Sequence, residues 1–241
     1  GGPLPLSCGI PVMSELENQN RQDSGRSPAQ TRGVRLTVAL VVAFMIVIVA
    51  GFVYRIQQPR VMTTTEMKAN GLFVFETPRA LGEFELTDHR GQPFTEDSLK
   101  GGWTLVFFGF TYCPDICPTT MAFLNQLLGE LEGTEVADTS VVMISVDPAR
   151  DTVEQLAGYV PFFNPEFTGV TGEFLTLHRV ATALNTPFRK VPGQGEDYLI
   201  DHSANVVLIN PRGDYHGFFK APLDLAKMKV TYRSARVLWD Q

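Results

Sequence analysis

The longest unbroken hydrophobic stretch runs from Leu36 to Tyr54, without a single charge, and is bounded by Arg35 and Arg55. A helix of that length rises about 28 Å, close to the roughly 30 Å hydrocarbon core of a bilayer. The run is longer than the apolar region of a cleavable signal, and Ile48 occupies the −3 place before Ala50, so no Ala-x-Ala site ends it. The pattern predicts an uncleaved anchor helix. Beyond about Leu72 the pattern changes to short apolar runs separated by turns. Leu81 to Leu86 alternates at period two and, across the turn Asp88–Gly91, faces Gln92–Phe94 in a predicted hairpin. Leu105–Phe110 and Val141–Val146 are continuously apolar, as in strands buried on both faces. Between them Met121, Leu124, Leu127, Leu128 and Leu131 form one helical stripe. Asp151-Thr-Val-Glu154 reads as a capping box opening a helix to about Phe163. Another helix is predicted from Glu173 to Leu184. Asn205–Asn210 and Tyr215–Phe219 flank a turn at Pro211–Asp214, and a last helix starts near Pro222.

This order predicts an α/β fold, a mixed central sheet with helices on both faces and added β-hairpins, behind one N-terminal transmembrane helix. The expected divisions are a disordered tail over 1–33, an anchor over 34–54, a linker over 55–71 and a folded body over 72–241. Met13 is a candidate start, with Gly1 to Val12 reading as upstream sequence. Four arginines precede the span, and Arg55, Arg60 and Lys68 follow it, a slight bias toward the N-terminus inside.

Composition narrows the function. The 241 residues are 44% hydrophobic with a formal net charge of −6, which excludes a disordered polymer and disfavours a nucleic-acid binder. Residues 1–68 hold 7 Lys/Arg against 4 Asp/Glu, while 69–241 hold 13 against 22. The basic leader and acidic body belong to two environments. Three cysteines are too few for a disulfide-stapled fold. No Gly-rich phosphate loop and no internal repeat is present.

The chemistry lies in Thr111-Tyr-Cys-Pro-Asp-Ile-Cys-Pro-Thr-Thr120, between a buried strand and a helix. Pro118 suits a first helical position, so the helix is predicted to start near it, with Cys113 to Cys117 curled over its positive end. That location lowers a thiol's pKa. Two sulfurs brought together by such a turn can form a reversible disulfide or serve as soft ligands on one metal. Two buried inert cysteines are the plain alternative, but Pro114 and Asp115 favour a turn near the surface. Cys8 has no assigned role, since no hydrophobic region precedes it. Among four histidines, His89 is expected in a solvated turn, His178 on a helix surface, and His216 is ambiguous. His202 precedes a buried strand, and spacing alone does not bring it to the cysteines.

Phe108-Gly-Phe-Thr-Tyr-Cys-Pro-Asp-Ile-Cys-Pro-Thr-Thr120, Ser145-Val-Asp-Pro-Ala-Arg-Asp-Thr152 and Asp201-His-Ser203 together resemble the Sco/SenC family. The resemblance spans about Leu72 to Lys229, in the family's order and behind a single anchor. It implies a thioredoxin-like fold with one extra residue between the cysteines. It also implies that His202 completes a copper site with Cys113 and Cys117, for one copper per chain as Cu(I) or Cu(II). Asp115 and Asp201 are possible further donors, with Asp201 expected to orient His202 or cap the loop. Asp147 and Asp151 read as turn and cap residues.

By the same resemblance, the protein is expected to be a copper chaperone, a carrier and not primarily an enzyme. It would serve the binuclear copper A centre of cytochrome c oxidase subunit II, with a copper donor protein and a thiol reductant as further partners. The body is expected on the periplasmic side of an inner membrane, or in an intermembrane space if the source is eukaryotic. The competing reading is a thiol-disulfide oxidoreductase with Cys113 attacking and Cys117 resolving. A copper or redox sensor lacks a visible output domain, and a peroxidase has no necessary use for the paired thiols or His202.

Overall fold

The computed structural model describes residues 28–57 and 61–239, apart from 132, 193, 194, 196 and 197. They fall in two compact units that divide between Pro59 and Arg60. The first holds helix α1, Pro28–Gln57. Its segment Arg32–Ile56 has a mean hydropathy of 3.0, enough to cross a membrane, and no part of it is buried. A helix apolar on every side suits lipid and not water. The helix takes in residues 28–33, which the sequence assigns to the unstructured tail. Pro28 at its start and the good helix formers Ala29, Gln30 and Arg32 account for the extension. Residues 1–27, with Cys8 and Met13, lie outside the described residues.

The second unit opens earlier than its apolar pattern indicates. Within the expected linker, α2 (Thr64–Ala69) is opened by a capping box between Thr63 and Glu66, and Met67 is fully buried in the core. Six residues are too few to show a helical period, which hides this helix from pattern reading. The strands are β1 (Leu72–Arg79), β2 (Glu85–Asp88), β3 (Pro93–Thr95), β4 (Trp103–Gly109), β5 (Thr139–Ser145) and β6 (Thr168–Thr171). The short pair β7 (Arg189–Lys190) and β8 (Ile200–Asp201) stands apart, and β9 (Val206–Ile209) and β10 (Tyr215–Phe219) form the second hairpin. Eight of the ten make one sheet in the order β1-β10-β9-β4-β5-β6-β2-β3. The expected alternation at Leu81–Leu86 pairs only from Glu85, with Leu86 opposite Phe94.

Strands β4, β5 and β6 run parallel, joined by α3 (Ile116–Glu130) and α5 (Val153–Phe163), with the short α4 (Thr134–Ala137) before β5. Every residue of β4 is buried, as its unbroken apolar run requires. Helix α6 (Phe174–Ala183) and the C-terminal α7 (Leu225–Trp239) complete the layers, α7 packing on α3 and β1 and α6 on β2.

One topological fact positions the site. Strand β9 is antiparallel to β4, and Val206 at its start lies opposite Phe107 near the end of β4. The segment entering β9 therefore reaches the same edge of the sheet as the loop leaving β4. Parallel α/β sheets place their ligands at this edge, beyond the carboxyl ends of the strands.

Two histidines depart from expectation or resolve it. His89 is only 7% exposed instead of solvated. Its Nδ1 accepts the Gly169 N–H at 3.1 Å and its own N–H donates to the Gly169 carbonyl at 2.7 Å, tying the β2 turn to β6. His216 is enclosed by Trp103 and Trp239, at ring distances of 5.1 and 5.6 Å. Burial, helped by Arg212, lowers its pKa to about 4 from the ordinary 6.5. The unfolded chain then gains a proton that the fold refuses, so stability is full above about pH 6.5 and falls as pH drops toward 4. Denaturant unfolding across that range should show the decline in the wild type and a shallower one in His216→Phe. Equal slopes for the two would refute the assignment.

Candidate metal centre

The chain leaves β4 at Gly109 and turns through Phe110, whose carbonyl accepts the Cys113 N–H at 3.2 Å. Helix α3 begins at Ile116, two residues before Pro118, so Pro118 sits in the first turn, where no intrahelical N–H is required of it. Cys117 is the second helical residue, and its N–H donates to Cys113 Sγ at 3.4 Å. The sulfur thus takes one of the orphan donors at the positive end of the helix. Gly109 is a spatial necessity here. A Cβ on it would lie 2.7 Å from the Phe107 ring and 3.0 Å from Cys117 Sγ.

Cys113 is half-buried and Cys117 fully buried. From the other side, His202 brings Nε2 to 3.5 Å from Cys117 Sγ. Its Nδ1 lies 3.1 Å from the Ser203 carbonyl, which only accepts, so Nδ1 carries the proton and Nε2 presents a lone pair. Phe107 and Phe110 meet the imidazole edge-on at 6.0 and 5.8 Å. The ligand atoms of Cys113, Cys117 and His202 all lie within 4.8 Å of one another. Among the described residues this is the one group of three or more Cys, His, Asp or Glu side chains so placed.

The two thiols are unequal. The Cys117 S–H lowers the Cys113 pKa to about 5, aided by the Asp115 and Cys117 N–H groups against the cost of burial. Cys117 moves upward, held protonated by its hydrogen bond to Cys113 and by burial. Free of metal, the pair is a thiolate sharing its neighbour's proton.

The acidic residues take different places from those expected. Asp201 does not orient His202; it is exposed and pairs with Arg189 at 3.2 Å across β7 and β8. Asp151 is no helix cap. Thr152 caps α5 by accepting the Gln155 N–H, one position later than the capping-box pattern implies. Asp151 is fully buried, where it accepts Thr111 Oγ1 at 2.7 Å, Ser145 Oγ at 2.6 Å and the Thr111 N–H at 3.2 Å. Burial raises its pKa against these three bonds. Asp147, also buried, holds Arg150 at 2.5 Å and receives the Tyr198 hydroxyl at 2.6 Å. The signal for both was the acidic pair in Ser145–Thr152, which local cap rules explain too readily.

A thioredoxin-like domain that gathers two soft sulfurs and an imidazole at the carboxyl edge of its parallel strands is the class these features define. The chain belongs to the SCO1/SenC family, whose model matches residues 75–235. It is 38% identical over 140 residues to the human mitochondrial SCO1 homolog, covering 57% of this chain and 46% of the human protein. The crystal structure of Arabidopsis thaliana ScoI with copper bound is 33% identical at a TM-score of 0.60, over 66% of this chain and 98% of that one. Yeast Sco1 with copper bound is 30% identical at a TM-score of 0.59, over 68% and 91%.

Iodoacetamide labelling of the reduced, metal-free chain should modify Cys113 with a rate midpoint near pH 5. Cys117 should stay unlabelled until the protein unfolds. A midpoint near the ordinary thiol value, or equal labelling of both, would contradict the unequal pair.

Proposed function

We propose that this protein is a membrane-anchored copper chaperone. It holds one copper at Cys113, Cys117 and His202 and delivers it to the binuclear copper A site of cytochrome c oxidase subunit II. The convergence of three soft ligand atoms within 4.8 Å carries the reading. Two thiolates and an imidazole suit three-coordinate Cu(I), whereas a structural zinc site takes a fourth protein ligand. Asp201, the carboxylate next to His202, is turned to Arg189 and leaves the set at three. Copper-bound members of the family from Arabidopsis and yeast support the choice of metal.

Delivery follows from exposure. Loading displaces the proton shared by the thiols, and metal affinity therefore rises with pH. Cys113 is the accessible ligand, so an acceptor thiolate reaches the metal there and bonds to it as the Cys113 bond breaks. Cys117 and His202 retain the ion until further acceptor ligands replace them. Helix α1 confines this exchange to a membrane surface. The body lies on the periplasmic side of a bacterial inner membrane, and its partners include a copper donor and a thiol reductant.

The lowered pKa of Cys113 beside a protonated Cys117 favours a second activity at the same residues. The Cys113 thiolate attacks an acceptor disulfide, forms a mixed disulfide and expels one acceptor thiolate. Cys117, on losing its proton, attacks Cys113 Sγ and releases the other thiolate. Two electrons pass to the acceptor, readying it for metal, and this chain is left as a disulfide.

An anaerobic Cu(I) titration of the reduced full chain in detergent, against a competing chelator, tests the proposal. One copper per chain is expected, and Cys113→Ala, Cys117→Ala and His202→Ala should each bind at least about 100-fold more weakly. That exceeds the roughly 10–100-fold typical of losing a group behind the ligands. A His202→Ala variant that binds like the wild type would remove the chaperone reading and leave the dithiol as the active group.

A further inference from the structure

His202 arrives 85 residues after Cys117, on a segment whose own secondary structure is slight. Strands β7 and β8 are two residues each, and the Arg189–Asp201 pair across them is exposed on both sides. An exposed pair of this kind contributes little. The backbone ladder, the Val191 N–H bonded to the Leu199 carbonyl at 2.9 Å and the buried Ile200 hold part of the segment, and a second set of contacts anchors it from outside.

The holding contacts meet at Tyr198 and come from the loop after β5. The Arg150 guanidinium lies 3.8 Å from the centroid of the Tyr198 ring, and its Nη2 donates to the Tyr198 carbonyl at 2.9 Å. The Tyr198 hydroxyl donates to Asp147 Oδ1 at 2.6 Å, and Arg150 Nε donates to Asp147 Oδ2 at 2.5 Å. These bonds form a closed ring of three residues around a carboxylate only 3% exposed. Arg150 also lies 4.8 Å from the ring of Tyr112, the neighbour of Cys113, and 5.8 Å from Phe110. One guanidinium therefore touches both the thiol loop and the histidine segment. Lysine could not replace it, because only the planar fork both stacks on a ring and donates in two directions.

We infer that Arg150 is a positioning residue, the latch that fixes His202 against the two thiols without touching a metal itself. The latch deepens the copper reading and rests on it for its purpose. With Arg150 engaged, the third ligand is preorganised. With Arg150 released, the segment from Tyr198 to His202 is free to withdraw its imidazole once an acceptor thiolate has displaced Cys113. A carrier that must bind firmly and then surrender its cargo gains a release point from such an arrangement.

Hydrogen exchange on the full chain in detergent, reduced and metal-free, tests the latch apart from copper. In Arg150→Leu, amides 198–203 should exchange about tenfold faster or more, the scale of losing one charge-assisted hydrogen bond, while β9 amides stay as in the wild type. Arg150→Lys should behave as Arg150→Leu does. Tyr198→Phe, which keeps the ring and loses only the bond to Asp147, should give a smaller acceleration in the same segment and guards against a variant that fails to fold. Cu(I) affinity should fall in Arg150→Leu, yet Arg150→Leu added to His202→Ala should cost nothing further, because the latch acts only through the imidazole. Unchanged exchange at 198–203 in both Arg150→Leu and Tyr198→Phe overturns the latch. So does an equal loss of copper affinity in the presence and absence of His202. Should the wild type bind copper without need of His202, the copper reading fails, and the exchange data still decide the latch.

Discussion

A carboxylate with no exposed surface cannot remain charged without hydrogen bonds, and Asp151 is such a group. Its partners come from two neighbouring strand ends: Thr111 from the loop leaving β4 and Ser145 from the last position of β5. Satisfying Asp151 thus sets the thiol turn at a fixed height above the sheet. Ser145 in turn accepts the Asp147 N–H at 3.0 Å, which carries the constraint on to Asp147, Arg150 and Tyr198. The two cysteines and the histidine sit at opposite ends of this chain of polar contacts, and neither end is set by apolar packing alone.

The sheet supplies the coarse placement and the polar contacts the fine one. Parallel β4 and β5 send their loops to one edge, and antiparallel β9 starts from that edge, so His202 needs no long excursion to meet the thiols. The removal of a side chain at Gly109 then lets Cys117 Sγ settle beside the end of β4. Burial of Cys117 and partial exposure of Cys113 follow from their order: Cys113 precedes the helix and Cys117 lies within it. The same order makes one sulfur reachable and the other a retained ligand.

Much of this was legible in the sequence because it is local. Leu105–Phe110 and Val141–Val146 announced β4 and β5 by unbroken apolarity, and the turn from strand to Cys113, Cys117 and helix could be read from Pro114, Asp115 and Pro118. The approach of His202 could not, since it depends on β9 pairing with β4 across a long sequence separation, and only the family resemblance pointed to it. Strands β1 and β6 and the six-residue α2 were too short or too weakly patterned to stand out. His89 and Asp151 were misread for a common reason. Turn and cap rules describe residues that satisfy their neighbours in sequence, whereas His89 is held by Gly169 on β6 and Asp151 by Thr111 from the loop after β4 and Ser145 from β5.

The central claim is that two sulfurs and one imidazole nitrogen share a single copper. X-ray absorption at the copper edge, on the full chain loaded with one equivalent of Cu(I), addresses it directly. The geometry predicts two sulfur neighbours and one imidazole nitrogen in the wild type, with the nitrogen lost and both sulfurs kept in His202→Ala. A wild-type spectrum with sulfur neighbours alone, or a nitrogen that survives the substitution, would contradict the assignment.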